Sequence, residues 1–279
     1  MEKNIRTRFA PSKTYREENF PVASMLIQKH LRPHVHTFYL FAREADDIAD
    51  HIEISSEEKI KRLEVFDAVL SGKINDPFAA PRAYAHLQST RKTGVGVEHA
   101  RNLLQAFMLD ATKTRYKNWS ELINYCRFSA APVGRYLLEL HGENKMIERQ
   151  TDALCIALQI LNHLQDCKKD FLDLNRVYIP QSFMVSEGVQ VNELDKSLSS
   201  PSMRQVFDKI LQRTSEILNT TSDLTCYISN QGLRKETAVI ISIAHLLLKK
   251  LSTGDPIARP IKLSKLQTIF CAFRGIIFN

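Results

Sequence analysis

The chain has 279 residues, 44% of them apolar and 25% charged, with nine glycines and a formal net charge of +7. That length can bury a sizeable core, and the balance is that of a globular protein rather than a disordered or collagen-like one. The positive charge suits an anionic partner, but basic residues are scattered and no helix-turn-helix, RNA-recognition or zinc-finger pattern accompanies them, so no nucleic-acid partner is expected.

The first twenty residues contain no apolar run of signal-peptide type. Cys126, Cys155, Cys167, Cys226 and Cys271 are odd in number and lack metal-ligand spacing, which fits a reducing compartment and a cytoplasmic protein. Long stretches free of Gly and Pro, with Leu-rich 3.6-residue patterning, predict an all-α fold in a single domain spanning 1–279. In chain order, helices are expected over 20–31 and 33–52, parted at Pro33. A third starts after Ser55 as N-cap with Glu57 and Glu58 in its first turn, and ends near Ser71-Gly72. Helices follow at 82–91 and from about 97 to before Lys117. Another is capped by Ser120 and is interrupted where it meets Pro132 and Gly134, the latter suited to close helix approach. A helix starting at Thr151 or Asp152 runs through Asp170, and the residue before Pro180 keeps the next segment extended. Residues 181–200 read as a loop, before three helices at 201–229, 233–251 and 262–277. The most apolar of these, Val239–Leu248, is far short of the ~20 residues needed to span a bilayer.

Two acidic stripes carry the chemistry. Asp46 and Asp50 lie one helical turn apart, where like charges repel, among Phe38, Tyr39, Leu40, Phe41 and Ile48. Alone, they could be a surface face on which Arg43 pairs with Asp46 and Asp47. Asn162, Asp166 and Asp170 then recur every fourth residue on a helix whose other positions, such as Leu154, Leu158 and Leu161, are apolar. An amide within that apolar run is costly without a partner. Carboxylates and an amide on two helices supply hard oxygen ligands of the kind that suit Mg2+, an ion that also binds phosphate oxygens. Metal ions and guanidinium groups, here Arg43 and Arg176, can neutralise a departing diphosphate, and an apolar pocket then shelters the carbocation.

The segments FYLFAREADDIAD, YCRFSAAPVGRYLL and NHLQDCKKDFLDLNRVYIP, in this order and spacing, resemble the signatures of the squalene/phytoene synthase family. The resemblance extends over most of the chain and implies an isoprenoid-synthase helical fold with a central cavity. It also implies metal ligation by Asp46, Asp50, Asn162, Asp166 and Asp170. Diphosphate contact falls to Arg43, Arg176 and Tyr178, and catalytic roles to Tyr125, Tyr39 and Arg43. Tyr125 also has a plain reading, as a core tyrosine with a satisfied hydroxyl. Many relatives carry arginine where this chain has Gln165, and the span from Asp170 to Arg176 is one residue longer than in phytoene synthases. ENFPVAS, LRPHVHTFYLFAREADDIAD and RPIKLSKLQTIFCAFRG are most similar to the bacterial hydroxysqualene synthase branch. That branch converts presqualene diphosphate to hydroxysqualene with water; a head-to-head prenyl synthase or a non-catalytic assembly factor of the same fold are the alternatives.

His30, His34 and His36 read as structural rather than zinc-binding. Residues 262–278 read as an amphipathic C-terminal helix. Its stripe of Leu266, Ile269, Phe270, Phe273 and Ile277 suits core packing, while Lys262, Lys265 and Arg274 also fit peripheral contact with an anionic membrane at the inner face of the cell.

Overall fold

The structure, a computed structural model, describes residues 25–277. Among these residues it is all-α: helices are joined by turns, and the only β-type contact is an isolated parallel bridge between Arg115 and Val177. The ENFPVAS segment and the first half of the helix expected at 20–31 lie outside the described residues. The second half of that expected helix, 25–31, is a turn instead. Helix α1 (Arg32–Asp50) begins there, with Pro33 in its first turn, where a missing N–H costs nothing.

Four helices form a first core. In α1, α2 (Ser56–Leu70), α3 (Pro81–Thr93) and α4 (Glu98–Asp110), buried Phe38, Phe41, Leu63, Phe66, Leu87 and Leu103 face inward. Phe38 stacks on Tyr136 at 4.1 Å between ring centroids, and His86 lies against both Phe38 and Phe41. Ser55 caps α2 as expected, accepting the Glu58 backbone N–H.

The second core gathers α5 (Trp119–Ser129), α6 (Ala131–Leu140), α7 (Glu148–Leu174), α8 (Gln181–Ser186), α9 (Pro201–Asn219), α10 (Leu224–Tyr227), α11 (Gln231–Thr253) and α12 (Lys265–Ile277). The chain breaks between α5 and α6 at Ala130, one residue before the Pro132-bearing first turn of α6. Gly134 brings α6 close to α7, since a Cβ there would lie 2.5 Å from the Thr151 methyl and 2.7 Å from Cys155 Sγ. Leu137 of α6 packs against both cores.

Several expected boundaries move, each for a local reason. The α5 cap is Asn118, whose side chain accepts the Glu121 N–H; Ser120 sits inside the first turn and is exposed. Helix α7 begins at Glu148 because a 3₁₀ turn, Lys145–Ile147, leads into it, and it continues four residues past Asp170. The segment 181–200 holds α8 and a 3₁₀ turn, Val191–Asp195. The expected helix 201–229 is broken after Asn219, where Thr220 and Thr221 donate their hydroxyls to the Ile217 and Leu218 carbonyls and end α9. Helix α12 starts at Lys265 behind a capping box: Ser264 Oγ accepts the Gln267 N–H, and Gln267 Oε1 accepts the Ser264 N–H.

The cap assignment is directly testable. Asn118→Ala should cost about 1 kcal/mol, a fall of roughly 2–4 °C in melting temperature, because it orphans an N-terminal N–H. Ser120→Ala should leave the melting temperature within about 1 °C of the parent, as an exposed helical Ser→Ala change touches no cap.

Candidate functional site

The site lies on the seam between the two cores. On α1, Tyr39, Arg43, Asp46 and Asp50 fall at intervals of four, three and four residues and so share one face. Arg43 pairs with Asp46 at 2.9 Å and with Asp47 at 2.8 Å. The ion pairing expected of a solvated surface face is therefore present, but it is not solvated: the Arg43 side chain is only 13% exposed.

Across the seam, Asn162, Asp166 and Asp170 project from successive turns of α7, continuing the row begun by buried Leu154 and Leu158, while Leu161 and Leu164 on the other side of the helix are buried in the second core. The helix ends at Asn175, which takes φ 50°, the left-handed conformation that Asn adopts more easily than other side chains with a Cβ. That residue reverses the chain, with Arg176 N–H donating to the Asp170 carbonyl at 3.0 Å. Val177 then donates to the Thr114 carbonyl at 2.9 Å, so residues 175–178 lie along the loop after α4. This places Arg176 and Tyr178 in the seam. Arg176 Nη1 donates to Asp50 Oδ1 at 2.8 Å and to the Tyr178 hydroxyl at 3.3 Å; its Nη2 donates to the Asp110 carbonyl at 2.9 Å.

Asp110, the last residue of α4, is a site residue that sequence reasoning missed. Its buried carboxylate accepts the Tyr125 hydroxyl at 2.6 Å and the Tyr178 hydroxyl at 2.8 Å. Tyr116 stacks on Tyr178, and His163 stacks on the same ring at 3.6 Å. The signal was there to find: an Asp closing an apolar helix opposes the helix dipole, a local conflict of the kind that marks function. Tyr125 is a core tyrosine with a satisfied hydroxyl, as its plain reading expected, and it belongs to this network.

Burial and mutual repulsion dominate the electrostatics. The Asp46 carboxyl is raised to about 8, first by burial and then by the Asp50 charge. Its side chain is still 32% exposed, so it keeps contact with solvent. Asp170 is raised to about 7 by burial, then by Asp166 and by Asp50 on the facing helix. The two stripes thus feel one another across the seam. Asp110 is raised to about 6 by burial, against the pull of Arg176 and the two tyrosine hydroxyls. Both Tyr125 and Tyr178 are held well above the ordinary phenol value by burial and by Asp110, so they remain protonated donors. His163 is lowered to about 3 by burial and by Arg176, and is neutral at pH 7.

A set of hard oxygen donors short of positive charge fits a divalent cation in chemistry. Among the described residues, no three His, Cys, Asp or Glu side chains converge tightly enough to form a metal cage on their own. Asp46 and Asp50 on one side, and Asn162, Asp166 and Asp170 on the other, are instead spread along two facing helices. Two surface hollows, of about 420 Å³ beside Gly94–Glu98 and 440 Å³ between α2 and α4, contain none of these residues.

Carboxylates that take up protons more readily in the folded than in the unfolded chain weaken folding as they ionise. Their ordinary value is about 3.9, so stability falls as pH rises from about 4, and the fall ends near 7 for Asp170 and near 8 for Asp46. The metal-free protein should therefore melt higher at pH 6.5 than at pH 8.5. Asp46→Asn should raise the melting temperature at pH 8.5 by about 2–4 °C and flatten the pH dependence, as followed by circular dichroism.

The family model for squalene/phytoene synthase matches residues 14–267. A hydroxysqualene synthase from Sinorhizobium fredii is 42% identical over 91% of this chain and 86% of its own length. Those of Rhodopseudomonas palustris and Zymomonas mobilis are 39% and 37% identical, each over 94% of this chain and 88% of the relative. Among solved structures, the squalene synthase HpnC from Alicyclobacillus acidocaldarius superposes with a TM-score of 0.71 at 26% identity, covering 82% of this chain and 85% of that one. A dehydrosqualene synthase in complex with a ligand gives 0.78 at 19% identity, covering 93% and 91%, and shows the shared fold. The chain has the isoprenoid-synthase helical fold and is an enzyme of the squalene/phytoene synthase family.

Proposed function

We propose that the protein ionises presqualene diphosphate in the presence of Mg2+ and lets water capture the carbocation, giving hydroxysqualene and diphosphate. The observation that carries this reading is the identity of about 40% with three hydroxysqualene synthases over nearly the whole chain. The electron-rich seam supports it independently. Asp46, Asp50, Asn162, Asp166 and Asp170 would hold Mg2+, which supplies neutralisation of the diphosphate charge as the carbon–oxygen bond breaks.

The remaining roles belong to the chain itself. Arg176 is fixed by Asp50 and the Asp110 carbonyl and keeps a permanent positive charge beside the leaving group. Arg43, on the same face as Asp46, adds a second guanidinium, and Tyr39 lines that face. Tyr116, Tyr125, Tyr178 and neutral His163 give a wall of π-faces that suits a carbocation and excludes bulk water. When water adds to the cation, its surplus proton needs an acceptor. Tyr125 can take it on oxygen while passing its own proton to Asp110, 2.6 Å away.

Incubation with presqualene diphosphate and Mg2+ in oxygen-18 water tests this reading. Labelled hydroxysqualene should form without any nicotinamide. Squalene as the main product, dependent on a reduced nicotinamide, would place the protein with reductive head-to-head synthases. Asp166→Asn should lower turnover at least 100-fold while far-UV circular dichroism stays near the parent. Full activity in excess chelator would remove the metal from the scheme.

A further inference from the structure

Helix α12 turns its small residues inward and its large apolar residues outward. Buried Cys271 and Gly275 face α11, and a Cβ at Gly275 would lie 2.6 Å from the Val239 backbone nitrogen, so the helix lies flat on α11. On the opposite side, Leu266, Ile269, Phe270, Phe273, Ile276 and Ile277 are exposed, from 37% at Ile276 to 78% at Leu266. The expectation that this stripe packs into the core is corrected here: the small face is what packs. At about 100° per residue, the six fall within an arc of about 120°, and Lys265 and Arg274 stand at its two margins.

Exposed large apolar residues elsewhere, such as Ile52, Phe78 and Val185, are scattered over separate elements and form no comparable face. The charge pattern singles out one occupant. From Pro256 to Asn279 the chain has Arg259, Lys262, Lys265 and Arg274 and no acidic residue at all. Among the described residues, Lys265 and Arg274 are exposed and enter no ion pair. A second copy of the chain would need to meet this face with acidic groups that α12 itself lacks. An apolar arc edged by unpaired cations matches a helix lying in a bilayer interface, rings in the acyl boundary and cations among anionic headgroups. No helix among the described residues is long and apolar enough to cross a membrane. Most of α12 also lies beyond residue 267, where the family match ends.

We infer that the outer face of α12 docks the protein onto an anionic lipid bilayer, parallel to the surface. Purified full-length protein is sedimented with sucrose-loaded vesicles of phosphatidylcholine alone or with 30% phosphatidylglycerol, without substrate or metal. The result therefore stands apart from that of the proposed reaction. Wild type should bind the phosphatidylglycerol vesicles at least tenfold more strongly than the neutral ones, with the difference shrinking at high salt. The triple variant Ile269→Gln, Phe270→Gln, Phe273→Gln should lose at least tenfold in binding while keeping the parent melting temperature, because these side chains touch no core. Lys265→Gln with Arg274→Gln should abolish the preference for phosphatidylglycerol. Wild-type protein left in the supernatant, or a triple variant that binds as the parent does, would overturn the inference. So would a wild-type dimer that the triple variant converts to monomer without change in vesicle binding.

Discussion

Arg176 is a guanidinium only 5% exposed, set between two helices that both carry carboxylates. Its reach to Asp50 of α1 and to the Asp110 carbonyl at the end of α4 joins the second core, from which it comes, to the first. A buried charge of this kind is costly to desolvate and depends on its partners; Nη1 and Nη2 are hydrogen-bonded, while Nε has no hydrogen bond and lies 3.8 Å from Asp110 Oδ1. The partners come from three places in the chain, so its position fixes the separation of the acidic stripes as well as the ring of Tyr178 beside it. Removing one partner of a buried pair costs about 3–5 kcal/mol, chiefly by stranding the other. That magnitude is a large share of a typical folding free energy of 5–15 kcal/mol, so the seam is not a passive cleft.

The same seam is electrostatically unfinished. Arg176, Arg43, Lys59 and Lys169 are set against Asp46, Asp47, Asp50, Asp110, Asp166 and Asp170, and burial and repulsion still push Asp46, Asp110 and Asp170 upward. A sequence selected for stability alone would replace several of these groups with apolar residues. Their retention makes sense where a cationic ligand completes the balance. The aromatic wall has the complementary property: Tyr116, Tyr178 and His163 stack in series and present neutral, polarisable faces rather than charges. The carboxylates and the stacked rings thus adjoin one another, joined through the hydrogen bonds of Asp110 to Tyr125 and Tyr178.

What the sequence revealed of this site follows from how far apart its members lie along the chain. Asp46 with Asp50, and Asn162 with Asp166 and Asp170, are one-turn spacings that helical periodicity displays directly. Arg176 and Tyr178 were reached through their place in a motif. Asp110 carries only a local hint, an acid at a helix C-terminus, because its partners are remote: Tyr125 is fifteen residues on and Tyr178 sixty-eight. Only the fold makes those three one network. Boundary errors have a similar origin but at short range. Asn118 and Ser120 both have cap chemistry, and the choice fell to the extended backbone of Asn118, with φ −152° and ψ 176°. The break after α9 was hidden because Thr is permitted inside helices and ends one only when its hydroxyl turns back to a carbonyl.

Gln165 shows how a departure from a family pattern acquires a physical meaning. It is buried in α7 beside Asp166, where relatives often have arginine, and its amide donates to the Ile261 carbonyl. Ile257 and Ile261 are themselves buried in the second core, so the segment leading to α12 is held at both side chain and backbone. At that position an arginine would bring another cation to the acidic seam; glutamine instead spends its hydrogen bond on anchoring the C-terminal segment. The helix that carries the second acidic stripe is therefore also the post to which the segment leading to α12 is tied. Lys250 of α11 continues the attachment, donating to Gln267 Oε1 at 3.0 Å within the capping box that starts α12. With its inner face committed to α11 through Gly275 and its start fixed by these bonds, α12 has no freedom to turn its apolar side inward. The outward face is thus imposed by the packing of the whole second core.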